Sequence, residues 1–180
     1  MMRVVAGSLG GRRLAVPPGR EVRPTSDRVR EALFSTLGPL DGARVLDLFS
    51  GSGALAIEAL SRGAATAVLV ERDARAAATI RANLEALGLA EPQATLVVRP
   101  AAAALSTALQ RGDAYDLVFL DPPYRQAPDF GPGLAASLEP LLAPGARVVT
   151  ESDRRAPLDL PLPVAHERRY GDTLIRIHTP

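Results

Sequence analysis

Between Arg44 and Glu151 the chain passes four times from a short apolar run into a longer stretch with helical spacing, and few folds accommodate that alternation. The runs Arg44–Phe49, Ala67–Val70, Thr95–Val98, Tyr115–Leu120 and Ala146–Glu151 are expected strands. Between them, helices are expected up to Arg62, from about Asp73 to a stop at Gly88, over Ala101–Gln110 and over Gly133–Leu142. In the second of these, Ala77, Ile80, Leu84 and Leu87 share one face. An uninterrupted run such as Leu117-Val118-Phe119-Leu120 suits a parallel sheet covered on both faces. Val164–Arg168 and Thr173–His178 flank Tyr170-Gly171-Asp172 as an antiparallel finish, which makes seven strands of a doubly wound α/β sheet. Ligands of such sheets bind beyond the carboxyl ends of the strands, so chemistry is expected in the strand-to-helix loops.

The first part of the chain differs. Met2–Ala6 and Arg12–Val16 surround Gly7-Ser8-Leu9-Gly10-Gly11, the pattern of a β-hairpin arm that ends at Pro17-Pro18-Gly19. Thr25-Ser26-Asp27 then caps a helix through Leu37, with Val29, Leu33, Phe34 and Leu37 on one face. We divide the 180 residues into a basic arm, 1–22, and a single domain, 23–180. Charge is unevenly spread along the chain. Residues 1–30 carry seven arginines against Glu21 and Asp27, a balance of +5, whereas the other 150 carry 14 arginines against 18 acids, a balance of −4. The basic N-terminal end, residues 1–30, is therefore the expected phosphate-facing surface, with Arg12, Arg13, Arg23, Thr25 and Arg28 as candidate nucleic-acid contacts. All 21 basic residues are arginine, which we assign to base composition of the gene, since Ala, Arg, Pro and Gly abound throughout.

Absence of cysteine excludes disulfides, thiolate catalysis and Cys-based zinc sites, and with His166 and His178 the only histidines no metal is expected. No apolar run approaches the roughly 20 residues of a membrane helix, and the N-terminus lacks the apolar core of a signal peptide. A cytoplasmic monomer is the expectation.

Two loops carry the chemistry. Asp47-Leu48-Phe49-Ser50-Gly51-Ser52-Gly53-Ala54 lies where the first core strand turns into its helix, so Gly51 and Gly53 let backbone approach a ligand closely. Glu71 ends the second strand, 20 residues after Gly51, where an acid accepts hydrogen bonds from ribose hydroxyls. Gly51-x-Gly53-x-x-Ala56 also fits a dinucleotide fingerprint, so this loop alone leaves NAD and S-adenosylmethionine both open. Asp47 tilts the choice, because a carboxylate there repels a pyrophosphate and suits the ammonium of a methionine moiety.

Asp121-Pro122-Pro123-Tyr124 leaves the carboxyl end of Tyr115–Leu120, on the same expected edge of the sheet. An exocyclic base amine is a poor nucleophile because its lone pair is delocalised into the ring. A site for it must hold the nitrogen by its hydrogens, and the Asp121 carboxylate and Pro122 carbonyl are two acceptors whose direction is stiffened by Pro122 and Pro123. Tyr124 offers an aromatic face to an extruded base, a contact worth roughly 1–3 kcal/mol. Asp121, Pro122, Pro123 and Tyr124 are thus the candidate catalytic group of an amino-methyltransferase.

Gly7 to Leu14, Arg23-Pro24-Thr25-Ser26-Asp27-Arg28-Val29-Arg30-Glu31-Ala32-Leu33-Phe34, Asp47 to Leu60, Asp121 to Tyr124 and Tyr170-Gly171-Asp172-Thr173 together resemble the class I, Rossmann-like methyltransferases. Specifically, they resemble the bacterial small-subunit ribosomal RNA guanine-N2 methyltransferases, the RsmD-like family. That resemblance covers essentially the whole chain, and its specific part is the Arg-Pro-Thr stretch. It implies a mostly parallel seven-stranded sheet with the last strand antiparallel, S-adenosylmethionine as methyl donor and S-adenosylhomocysteine as product. It also implies N2 methylation of guanine 966 of 16S rRNA within the small ribosomal subunit. Asp47, Gly51, Gly53 and Glu71 would bind the cofactor, and Phe49, Ser52, Arg72 and Ala101 complete the expected set. One departure is Arg99-Pro100-Ala101-Ala102, where the family commonly has an acid facing the adenine amino group. An adenine-N6 methyltransferase, an NAD-binding oxidoreductase and a silent RNA-binding module remain alternatives.

Overall fold

In the computed structural model, residues 2–18, 26–122 and 127–180 are described, residues 127–132 by their backbone alone. Among the described residues, nine strands and five α-helices run in the order β1 (Met2–Arg3), β2 (Arg13–Leu14), α1 (Asp27–Leu37), β3 (Arg44–Asp47), α2 (Ala54–Ser61), β4 (Thr66–Val70) and α3 (Ala74–Leu87). They continue with β5 (Ala94–Val97), α4 (Ala101–Arg111), β6 (Tyr115–Leu120), α5 (Ala127–Leu138), β7 (Leu142–Asp153), β8 (Val164–Tyr170) and β9 (Thr173–His178). The main sheet has the order β5-β4-β3-β6-β7-β9-β8. Strands β3 to β7 pair in parallel, and β9 runs antiparallel to both β7 and β8. This is the expected doubly wound, mostly parallel seven-stranded sheet with its last strand reversed.

Local chemistry starts and stops the helices as anticipated. Ser26 caps α1 by accepting from the Val29 amide at 3.3 Å, and Asp73 caps α3 by accepting from the amides of Arg75 and Ala76 at 3.0 and 2.9 Å. Gly88 closes α3 as expected, and Gly112, which the sequence reading did not single out, closes α4. The largest difference from expectation is α5, which begins at Ala127 rather than Gly133 and gives way to a 3-10 turn over Glu139–Leu141 before β7. Pro128 falls in the first turn, where a missing amide costs nothing, so a composition that reads as a break is compatible with helix.

Alternate residues of the parallel strands feed two apolar layers. Val45, Leu69, Leu117 and Phe119 face α1, α2 and α3, while Leu46, Leu48, Val118 and Leu120 face α4 and α5. The first layer also takes in Met2, Val4 and Leu14, so the β1–β2 hairpin is packed into the core on the α1–α3 side. Two residues on α2 secure it. Glu58, fully buried, accepts from the amides of Val5 and Ala6 at 2.7 and 3.0 Å, and Ser61 accepts from the Ser8 and Leu9 amides through its carbonyl and hydroxyl at 2.7 and 2.9 Å. Gly7, at φ +83°, passes so close that an added Cβ would sit 1.8 Å from the Ser61 carbonyl oxygen.

Phe34 joins α1 to the sheet: its ring lies 5.8 Å from that of Phe119 and under the Arg62 guanidinium at 5.0 Å. Phe34→Ala should lower unfolding free energy by about 3–5 kcal/mol. Chemical denaturation checks this, and a loss under about 1 kcal/mol would show that α1 contributes little to the core.

Candidate functional site

The chain builds β3, β4 and β5 outward in one direction and then returns to lay β6 on the other side of β3. That reversal makes a crevice beyond the carboxyl ends of β3 and β6. Register places the acids around it. Asp47 pairs with Leu69 on β4 and with Phe119 on β6, so Glu71 and Asp121 each lie two residues beyond a partner of Asp47. Three carboxylates from distant parts of the sequence thus meet at one edge of the sheet.

The glycine loop is held tightly against this edge. Leu48 donates to the Phe119 carbonyl at 3.1 Å, Ser50 to the Val70 carbonyl at 3.0 Å, and Gly53 closes a turn onto the Ser50 carbonyl at 2.6 Å. Gly53 has φ +80°, and a Cβ there would press on Leu69 Cδ2 at 3.0 Å, so the sharp entry into α2 favours glycine. Glu71 braces the loop, accepting from the Gly51 amide through Oε2 at 2.9 Å and from the Asp73 amide through Oε1 at 2.8 Å. The Glu71 amide donates to Val97 at 3.1 Å, which brings the loop between β5 and α4, with Arg99, Pro100 and Ala101, alongside. Arg72 is exposed, and Phe49 and Ser52 are half-buried.

Asp47 is the electrostatic centre. It is 1% exposed, and its Oδ2 is buried with no hydrogen-bond partner among the described residues. Burial pushes its carboxyl up to about 7, and the nearby Glu71 charge adds to the effect, while the amides of Phe49 and Ala56 offset part of it. A buried acid with an orphaned oxygen at the bottom of a glycine cradle fits a cationic donor such as an ammonium group. It does not fit a phosphate.

Asp121 is half-buried and Pro122 buried, immediately past β6. Pro123, Tyr124, Arg23 and Thr25 lie outside the described residues. On the arm and at the start of α1, Arg12, Arg13 and Arg28 are exposed, and Arg12 reaches the Ala86 carbonyl at the end of α3 at 2.7 Å. Arg30 is fully buried, bound to Asp27 at 2.7 Å and to the Arg3 carbonyl, and Arg3 itself pairs with Asp27 at 3.2 Å. Part of the basic cluster therefore serves the fold. The sequence reading missed Glu58, Ser61 and Asn83, the polar residues that seat the arm. Their one signal is position: Glu58 interrupts the apolar helix Ala-Leu-Ala-Ile-Glu-Ala-Leu-Ser, and Asn83 stands in the apolar stripe with Ile80, Leu84 and Leu87.

A family profile described as conserved hypothetical protein 95 matches residues 2–179. YlbH of Bacillus subtilis (strain 168), whose name places it provisionally among rRNA methyltransferases, is 45% identical over 126 residues, 69% of this chain and 68% of its own. Ribosomal RNA small subunit methyltransferase D of Escherichia coli (strain K12) is 43% identical over 126 residues, and the matched stretch spans 69% of this chain and 61% of that protein. Among solved structures, a hypothetical protein of Thermus thermophilus is 31% identical, with a TM-score of 0.83 and full coverage of both chains. By the profile that spans nearly its whole length and by these relatives, the chain belongs to the conserved hypothetical protein 95 family, that of the ribosomal RNA small subunit methyltransferase D proteins.

Proposed function

We propose that this protein transfers a methyl group from S-adenosylmethionine to the exocyclic N2 of a guanine in 16S rRNA, guanine 966 in the usual numbering, acting on the small ribosomal subunit. The observation that carries this reading is the register that sets Asp47, Glu71 and Asp121 around the glycine loop at one sheet edge. The relatives' names support the ribosomal substrate.

In this reading S-adenosylmethionine, when bound, supplies a methyl group activated on a sulfonium. Asp47 Oδ2 would receive the ammonium of its methionine moiety, and the Gly51–Gly53 backbone would help to hold it. Glu71 takes the ribose hydroxyls, since a carboxylate oxygen already accepting one amide accepts a second hydrogen bond. Phe49, Ser52, Arg72 and Ala101 line the remainder. Asp121 and the Pro122 carbonyl hold the amino hydrogens of the guanine and aim its lone pair, and Tyr124 stacks on the base. The proton that the nitrogen loses passes to Asp121 or to water. Arg12, Arg13, Arg23, Thr25 and Arg28 contact RNA phosphates. The arm over residues 1–22 is in this scheme the RNA-facing unit and 23–180 the catalytic one.

Small subunits from cells lacking the enzyme, incubated with the protein and labelled donor, should yield labelled N2-methylguanosine. Label on adenosine, or none, overturns the assignment. Asp121→Ala should cut kcat by roughly a hundredfold or more while S-adenosylhomocysteine binding stays within about threefold by calorimetry. Full activity in that variant would remove Asp121 from the mechanism.

Asp47 makes two pH predictions. Ammonium binding needs the carboxylate, so affinity for S-adenosylhomocysteine should fall about tenfold per pH unit below 7, and Asp47→Asn should bind weakly at every pH. In the ligand-free protein a folded value of about 7 against an ordinary 3.8 means the native chain keeps a proton that the unfolded chain has released. Stability from this group is thus greatest at low pH and is lost as pH rises through 7. Asp47→Asn should therefore be more stable than wild type at pH 8, by a margin on the order of a few kcal/mol at about 1.4 kcal/mol per pKa unit, and that margin shrinks at pH 5. Equal pH profiles in the two proteins would contradict the buried, strained carboxylate.

A further inference from the structure

Asn83 touches both the arm and the glycine loop. Lying on α3 and 3% exposed, it accepts from the Ala15 amide through Oδ1 at 2.8 Å and donates from Nδ2 to the Ala15 carbonyl at 3.0 Å. The same Nδ2 donates to the Ser52 carbonyl at 2.9 Å. The arm thus pairs with a side-chain amide as it would with a neighbouring strand, and the amide's second hydrogen fixes the peptide between Ser52 and Gly53. A separate contact joins the same partners, since the Ser52 hydroxyl donates to Met2 Sδ at 3.4 Å. On its other side the loop is held by Glu71 through the Gly51 amide. Ser52 is therefore clamped between the arm and Glu71.

We propose that Asn83 is the positioning residue through which the docked arm sets the glycine loop, so that arm position and cofactor affinity are coupled. This rests on reading Gly51–Gly53 as the cofactor loop. A buried amide that serves three backbone groups has no slack: if the arm moves, Asn83 must release either Ala15 or Ser52, and the released group loses a hydrogen bond in a setting where that loss is costly. The far end of the arm is seated independently on Glu58 and Ser61, where Gly7 leaves no room for a Cβ. Gly7→Ala therefore shifts the arm without touching the loop, which makes the coupling measurable.

The test is a double-mutant cycle read as S-adenosylhomocysteine dissociation constants by calorimetry, on wild type, Gly7→Ala, Asn83→Ala and the double variant. Each single change should weaken binding about fivefold or more, and the double variant should bind within about twofold of Asn83→Ala alone, because the Asn83 link is already cut and only the weak Ser52 hydroxyl to Met2 Sδ contact still joins arm and loop. Singles that bind like wild type, or penalties that multiply, overturn the proposal. Asn83→Leu keeps the bulk and removes all three hydrogen bonds, and it should reproduce the loss, with KM for the donor raised and kcat at saturation retained. Wild-type affinity in Asn83→Leu overturns the positioning role, since a purely structural residue would lower the melting temperature and leave the binding of folded protein unchanged. Should Gly7→Ala fail to fold, Ser61→Ala loosens the same seat and takes its place in the cycle. Wild type that does not bind S-adenosylhomocysteine sinks the cofactor reading and this proposal with it, whereas binding by wild type with unaffected variants sinks this proposal alone.

Discussion

The pairing of β3 with β4 on one side and β6 on the other is what the site depends on. Because Asp47 sits opposite Leu69 and Phe119 at once, the loops that follow all three strands open from one level of the sheet. A slip of one residue in either pairing would turn the apolar set of that strand to the wrong helical layer, so burial of Leu69, Leu117 and Phe119 enforces the register that brings the carboxylates together. Packing and site geometry are in this sense one constraint. The site also carries a cost that packing must offset. Asp47 is desolvated with an oxygen that has no partner among the described residues, and such a group persists only where the surrounding core over-determines it.

The arm belongs to the same argument. Its hairpin pairs over only two residues on each strand, too little to stand alone in water. It holds because Met2, Val4 and Leu14 enter the core, and because Glu58, Ser61 and Asn83 satisfy its backbone from α2 and α3. A segment that looks like an appendage by charge is, by burial, a wall of the domain beside the glycine loop. The arginines divide accordingly: Arg30 is consumed by the fold, whereas Arg13 and Arg28 face outward.

Much of this was legible in the residues because it rests on local rules. Apolar runs of period-free character marked buried parallel strands, and Ser26, Asp73 and Gly88 bounded helices by capping chemistry that acts within a few residues. Tyr115–Leu120 ends where a run of apolar residues meets Asp121-Pro122, and the strand stops there because proline cannot extend the ladder. The start of α5 was not legible, since Gly131 and Pro132 argue locally against the helix that the fold imposes.

By itself, then, the sequence determined the order of elements, the loops in which chemistry could reside, and the identity of the acids and glycines in them. Only the tertiary structure decided which of those loops meet, that Asp47 is buried with an orphaned oxygen, and that Asn83 links arm to loop. The division follows from range. Caps, turns and periodicity act over a few residues and are written in the chain, whereas desolvation and long-range hydrogen bonds, such as Ala15 to Asn83 or Gly51 to Glu71, exist only once distant segments are packed together.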